Sequence, residues 1–358
     1  MIDSKVVGDR KDFWVNFAIK YGFLIVMGIL FVFFGIMYPV FWNPANIFSI
    51  LLGSTIYGIL ALGITFPLVI GGMDMSIGST AALSVMMSAY LMVVSQANGL
   101  EAILFCLFIG ALAGLFNGFL IVKIKIPDML ATLGTMFLIQ GLQLIPSAGR
   151  SIGNGAVLEG GVVAKGQYEK YFLWLGQGRI FNLIPVAVII MIIVAILVFI
   201  ILSLTRWGRV FYAIGSNAQA ARLVGAKVDQ YRILAYVISG LIAAVGGIIL
   251  SARVGRGDVQ AGGNLLLDSI ASALIGYAVL GVRKPNPFGT IVGAIFISML
   301  LNGLSMLNFP YFVQDFIKGV VLVAALTFTF GLSNQKNGSL FLLLSPRGTG
   351  GGLFYANS

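Results

Sequence analysis

Gly71-Gly72-Met73-Asp74-Met75-Ser76-Ile77-Gly78-Ser79 interrupts two long apolar runs, and its reading decides the fold. Asp74 is the only acidic residue from Ile47 to Val94. An unpaired carboxylate in an apolar window of that length costs several kcal/mol, so its presence needs a structural or functional reason. Two glycines precede it, and a serine and a glycine follow. Those residues let backbone groups approach closely, which predicts a break between two helices with free amide and carbonyl groups.

Working outward from this break, apolar runs of about 17–25 residues recur, each long enough to cross a bilayer. Ten transmembrane helices are predicted. The first is Tyr21–Tyr38, ending at Pro39, and the second is Ile47–Ile70, entered through Trp42-Asn43-Pro44. Ile77–Val94, Glu101–Val122 and Pro127–Leu144 follow, the last started by Pro127. Beyond a polar loop lie Leu183–Leu204, Ile233–Leu250, Leu265–Leu280, Phe288–Leu307 and Tyr311–Leu332. The expected fold class is therefore an all-α polytopic membrane protein. Its domain plan is a segment 1–20, a transmembrane domain 21–332 and a Gly-rich tail 333–358. The long loop 146–182 and the basic loop 203–232 lie within that domain.

Composition agrees. Of 358 residues, 59% are hydrophobic and 9% charged, with mean hydropathy +1.02, whereas soluble domains carry about 25% charged residues. The net charge of +10 is scattered over short loops with no stacking-aromatic groove, which argues against nucleic acid. With the N-terminus inside, fifteen Lys and Arg fall on one face and six on the other, and Lys318 lies within the tenth run. Cytoplasmic loops are the basic ones, so both termini are expected in the cytoplasm and the chain in a bacterial inner membrane. Loop 203–232 then lies inside, and loop 146–182 and Ser251–Asn264 outside.

Several classes are excluded. There is no histidine, and Cys106 is the only cysteine, expected to be a small core residue. Zinc sites, disulfides and Cys/His catalysis have no ligand set here, and no metal site is expected. No Gly-x-x-x-x-Gly-Lys-Ser/Thr loop is present for ATP. Transport is the remaining default.

A faint internal repeat is visible. Gly72 to Gly78 resembles Gly257-Asp258-Val-Gln-Ala-Gly262, and Asn117-Gly118 before Pro127 is echoed by Asn302-Gly303 before Pro310. The copies face opposite ways, as in inverted-repeat transporters. Gly110, Gly114 and Gly118, and Gly289 with Gly293, mark helices that pack closely, within one subunit or across a dimer face. Asn117 and Asn302 sit inside runs, where they either bond between helices or line a pathway. Asp315 and Lys318 are one turn apart and are expected to pair.

Two segments carry the functional weight. Gly71, Gly72, Asp74, Ser76 and Gly78 form either a structural turn, with Asp74 capping the third helix, or part of a pathway or gate. Their expected place near the cytoplasmic ends of two spans favours the turn. In the second segment, Asn217 can cap a helix starting at Ala218, and Gly225 can end it. The result is a two-turn helix with small residues outward and Arg222 and Lys227 near its end. It either inserts into a groove of a partner or is an ordinary basic loop.

The chain resembles the permease subunits of ribose-type ABC importers, related to the branched-chain amino acid permeases, from about Asn46 to Phe330. The resemblance rests on Gly71 to Ser79, similar to a Gly-Gly-Ile-Asp-Leu-Ser-Val-Gly-Ser signature. Thr205-Arg206-Trp-Gly208-Arg209 with Ala213 to Arg222, and Gly289-Thr290, Gly293-Ala294 and Asn302-Gly303, also carry it. It implies that Gly215, Ser216, Asn217, Ala220, Ala221, Arg222 and Gly225 form the coupling helix that docks on a cytoplasmic ABC ATPase. It further implies a second permease chain, identical or homologous, and an extracytoplasmic binding protein that delivers a monosaccharide. ATP and Mg would be bound by the partner ATPase and no cofactor by this chain. Where many members read Val-Ile-Gly-Gly, this chain has Leu274-Ile275-Gly276-Tyr277, so the resemblance leaves open a nucleoside, autoinducer-2 or another small polar solute. An ion-coupled secondary transporter is the reading from another class.

Overall fold

The computed structural model describes residues 3–157, 161–263, 265–279, 284–321, 323, 324 and 327. The expected tail 333–358 and the end of the expected tenth helix lie outside them.

Helix α1 spans Asp3–Met37 and is followed by a 3-10 turn, Pro39–Trp42, and by α2, Pro44–Val69. Asn43 caps α2 by accepting from the Ala45 amide at 2.9 Å. The break at Ile70 to Ser76 leads to α3, Ile77–Ala89, which runs on through a π-helical turn to Val94. Next come α4, Gly99–Val122, and α5, Asp128–Leu144. Asn98 and Glu101 form a reciprocal capping box at the start of α4. The polar loop that follows contains β1, Ile152–Gly153, and a short helix, α6, Lys170–Gln177. Then come a small hairpin, β2 (Arg179–Ile180) with β3 (Ile184–Pro185), and α7, Val186–Phe199, extended by a π-helical turn to Leu204. Arg206–Ser216 is α8 and Ala218–Leu223 is α9. Val228–Val254 is α10, Arg256–Gly257 is β4, Leu265–Ala278 is α11 and Pro287–Met306 is α12. Residues 311–321 are again helical.

Among the described residues, six helices are long and apolar enough to span a membrane: α2, α3 with its π turn, α4, α7 with its π turn, α10 and α12. Tyr21–Met37 and Leu265–Gly276 are shorter apolar stretches.

The middle of the bundle is α2 and α3. Every residue from 58 to 67 and from 76 to 86 is buried, as expected of helices apolar on all sides. By contrast α4 buries a stripe of small residues and turns Leu104, Phe108, Leu112 and Phe119 outward. Exposed rows of this kind, repeated on α7 and α5, form an outer surface suited to lipid. The stripe sits on α10: a Cβ on Gly110 or Gly118 would crowd the backbone around Gly240 or Ile233, and one on Gly114 would collide with the Tyr236 carbonyl. Gly289 and Gly293 of α12 meet Gly276 and Ser272 of α11 in the same way. Both Gly-x-x-x-Gly patterns are thus used inside the subunit.

Helix packing has an internal correspondence. Exchanging α2 with α10, α3 with α11 and α4 with α12 maps the α10–α4, α10–α3 and α3–α4 contacts onto α2–α12, α2–α11 and α11–α12. The pair α2–α10 maps onto itself. One end of the bundle carries α8 and α9, and the other carries β1 to β4 and α6. At that second end β1 pairs antiparallel with β4, tying the two long loops together.

Candidate functional site

The break after α2 is folded into the bundle. Gly71 takes φ +81°, where a residue with a Cβ would be strained, and the chain turns back between α4, α5 and α10. Asp74 is 1% exposed. Its Oδ1 accepts from the Ser76 amide at 2.9 Å and the Ser76 hydroxyl at 2.7 Å, and its Oδ2 accepts from the Ser239 hydroxyl of α10 at 2.7 Å. Ser76 in turn receives the Asn117 side-chain amide of α4 at 2.8 Å. The Met75 amide donates to Thr132 of α5 at 3.1 Å. Beside them the Tyr236 hydroxyl donates to Asp128 Oδ2 at 2.6 Å.

This is a polar hub joining four helices, and it lies deeper than expected. Ser239 is about three turns into α10. A short, Gly-rich break can fold inward because its own side chains satisfy its backbone. Asp74 bonds the amide of Ser76, the residue just before α3, in a turn closed two residues on. Ser76 spends its hydroxyl on Asp74 and makes no cap of its own. Hence the carboxylate fixes the approach to α3 rather than capping its first turn. Ser239, Tyr236 and Thr132 have no sequence signal that couples them to Asp74, since the partners come from distant helices. Gly78 is buried against the backbone of Leu266 at the start of α11.

At the α9 end, the segment after α7 is built as a sequence of caps. Thr205 accepts from the Gly208 amide at 3.3 Å and starts α8. Asn217 accepts from the Ala220 amide at 2.9 Å and starts α9, as its residue type predicts. Gly225, at φ +86°, ends that helix. Arg222 reaches forward to an ion pair with Asp229 on α10. On α8, Phe211 is fully buried between Phe66 and Tyr231, with ring centroids 5.8 and 5.5 Å away. A side chain at Gly215 would collide with the Val69 carbonyl at the end of α2. Therefore α8 rests directly on the helix that leads into the Asp74 break.

The exposed rim of α9 differs from the expected smooth one. Ala221 is 4% exposed and faces the bundle, while Leu223 and Val224 are 90% and 85% exposed. Ser216, Asn217, Ala220 and Arg222 are exposed too. Six residues make little more than one and a half turns, so Ala221 falls on the inner side and the next apolar pair is thrown outward. A cavity of about 600 Å³, with Arg206, Arg209, Lys227 and Tyr231 in its wall, lies beside it. The arrangement offers an apolar knob flanked by cations.

Asn117 makes an interhelical hydrogen bond, while its Oδ1 has no partner among the described residues. Asn302, on α12, is far from both segments and borders a second cavity at the opposite end. Cys106 is buried against Ser88 and the Ser84 carbonyl.

Residues 46–326 match the family model described as branched-chain amino acid transport system / permease component. The chain is 31% identical over 322 residues to the ribose import permease protein RbsC of Escherichia coli K12, covering 90% of this chain and 97% of that one. It is 34% identical over 306 residues to RbsC of Bacillus subtilis, 86% and 91% of the two chains. It is 34% identical over 273 residues to the autoinducer 2 import system permease protein LsrC of Photorhabdus laumondii, 75% and 77%. No solved structure matches.

Proposed function

The chain belongs to the family of branched-chain amino acid transport system permease components, and from that premise we propose that it carries a monosaccharide through the membrane in an ATP-driven importer. It is the permease subunit of an ABC importer and a multi-pass protein of the inner membrane. Similarity to ribose import permeases along nearly the whole chain is the observation that carries the sugar assignment. A second reading, autoinducer-2 or another small polar solute, is favoured by the likeness to LsrC.

In this account ten helices span: the six long ones with Tyr21–Met37 of α1, α5, α11 and the run from Tyr311. The basic end with α8 and α9 faces the cytoplasm. The correspondence of α2, α3 and α4 with α10, α11 and α12 supports an inverted repeat about a central α2–α10 pair. Gly215, Ser216, Asn217, Ala220, Ala221, Arg222 and Gly225 build the coupling helix. Ala220 and the Leu223–Val224 knob contact the ATPase, and Ala221 seats the helix on the bundle. ATP and Mg are bound by that ATPase. Two permease chains, identical or homologous, enclose the route, and an external binding protein delivers the solute.

The seating of α8 on the end of α2 gives a path for force. A push on α9 reaches Gly215, then Val69, then the Gly71–Asp74 break, whose bonds to α4, α5 and α10 spread it through the bundle. Co-expression with the ATPase tests the assembly. The detergent-extracted complex should hydrolyse ATP several-fold faster when sugar-loaded binding protein is added, and a rate insensitive to any loaded binding protein would contradict it.

A further inference from the structure

At the end of the bundle opposite α9, a cavity of about 480 Å³ opens between the start of α2, the ends of α10 and α12, and the stretch beginning at residue 311. Its size falls within the roughly 300–1,000 Å³ of small-molecule sites. Polar groups converge on it from separate elements. Tyr57 comes from α2, Arg253 from α10, Ser298, Asn302 and Ser305 from α12, and Gln314 from beyond α12.

Several of these are only partly engaged. Asn302 Oδ1 is buried and has no hydrogen-bond partner among the described residues, a state that costs free energy unless a ligand or water fills it. Arg253 gives one N–H to the Leu52 carbonyl at 3.1 Å, and forms no ion pair among the described residues, leaving most of its five donors available. Tyr57 supplies a ring face and a hydroxyl. Nearby, Lys318 bonds Asp268 at 2.6 Å and Asp315 at 3.1 Å. Counting Arg253, two cations stand against two carboxylates, so the surroundings are electrically balanced. Such a site suits a neutral solute rich in hydroxyls, not an ion.

We infer that this cavity is a low-affinity, outward-facing site within one subunit for a neutral polyhydroxylated solute of monosaccharide size, with Asn302, Arg253 and Tyr57 as its principal contacts. The inference rests on the importer reading for the class of solute. It assigns the solute a resting place inside a single chain, walled by both halves of the helix correspondence.

The test uses the full-length protein in right-side-out membrane vesicles. Cys106 is the chain's only cysteine and is buried, so introduced thiols report without background. Ser49→Cys and Ser305→Cys, both in the cavity wall and neither a principal contact, should each react with a membrane-impermeant methanethiosulfonate added outside. D-ribose, D-xylose or D-galactose should slow that reaction about tenfold as occupancy approaches about nine-tenths. Ser95→Cys, exposed near the end of the third span, should react at a rate no sugar changes. Loss of reaction at both cavity positions while Ser95→Cys reacts would overturn the proposal. So would rates unaffected by all three sugars, or slowed equally by L-leucine. Labelling needs neither ATP nor a binding protein, so it reports on the cavity alone. Ion-driven uptake would instead overturn the importer reading and leave the labelling result as it is.

Discussion

Asp74 is held by three donors and no cation, so its worth lies in what its removal would strand. Asp74→Ala leaves the Ser76 amide and the Ser239 hydroxyl buried without an acceptor, at about 1–3 kcal/mol. The expected result is a lower melting temperature and folded yield, read by fluorescence-detected size exclusion, with solute preference unchanged. Unchanged melting with altered preference would make Asp74 a pathway residue. Asp258, in the loop at the opposite end, gives a pH prediction. The Gln260 amide, then Arg256, hold its carboxyl below the ordinary carboxylate value. A depressed folded value stabilises the loop above about pH 4 and loses that contribution as pH falls further. Protection factors for amide exchange at 255–263, taken against the intrinsic rate at each pH, should therefore fall between about pH 4 and pH 3 in the wild type, and that fall should vanish in Asp258→Asn. At this scale the sequence was legible wherever partners are local, as with Asn217 and the Asp315–Lys318 pair. It was silent on Ser239, Tyr236 with Asp128, and Asp268 with Lys318, because nothing in a single chain reports which distant helices will touch.

For whole elements, local chemistry again marks what could be read. Spans bounded by Pro, Asn or Gly, such as α2 and α12, fall close to their expected limits. α6 and α8 were hidden because both are short and partly polar, so they raise no hydropathy signal and form only where an apolar side finds a partner. The π-helical turns ending α3 and α7 leave no mark in the pattern either. Two substitutions separate packing from docking. Gly114→Val drives a side chain into the Tyr236 carbonyl and should cost about 1–3 kcal/mol of stability by forcing α4 from α10, seen as a lower melting temperature. Ala220→Glu, on the exposed side of α9, should leave melting unchanged and weaken ATPase binding about tenfold, or ~1.4 kcal/mol. Equal ATPase binding by Ala220→Glu and wild type would remove α9 from the docking surface. The same charge at Ala221 should lower stability instead, since that side chain is buried.

Across the whole molecule, the two segments singled out in the sequence prove to be neighbours. Gly215 lies on Val69, and Val69 ends the helix that enters the Gly71–Asp74 break. Periodicity could locate each segment but not their contact, which arises from the packing of α8 beneath α2. Because α8 rests on the end of the helix that enters a break bonded to α4, α5 and α10, a push on the α8–α9 end would be passed into the interior of the bundle. The central claim is that this push comes from ATP hydrolysis by a partner. It is tested most directly by reconstituting the chain with its ATPase in proteoliposomes and following labelled sugar uptake. Uptake that requires ATP on the ATPase side and added binding protein, and ignores imposed proton or sodium gradients, is the predicted result; uptake driven by an ion gradient without ATP would contradict it.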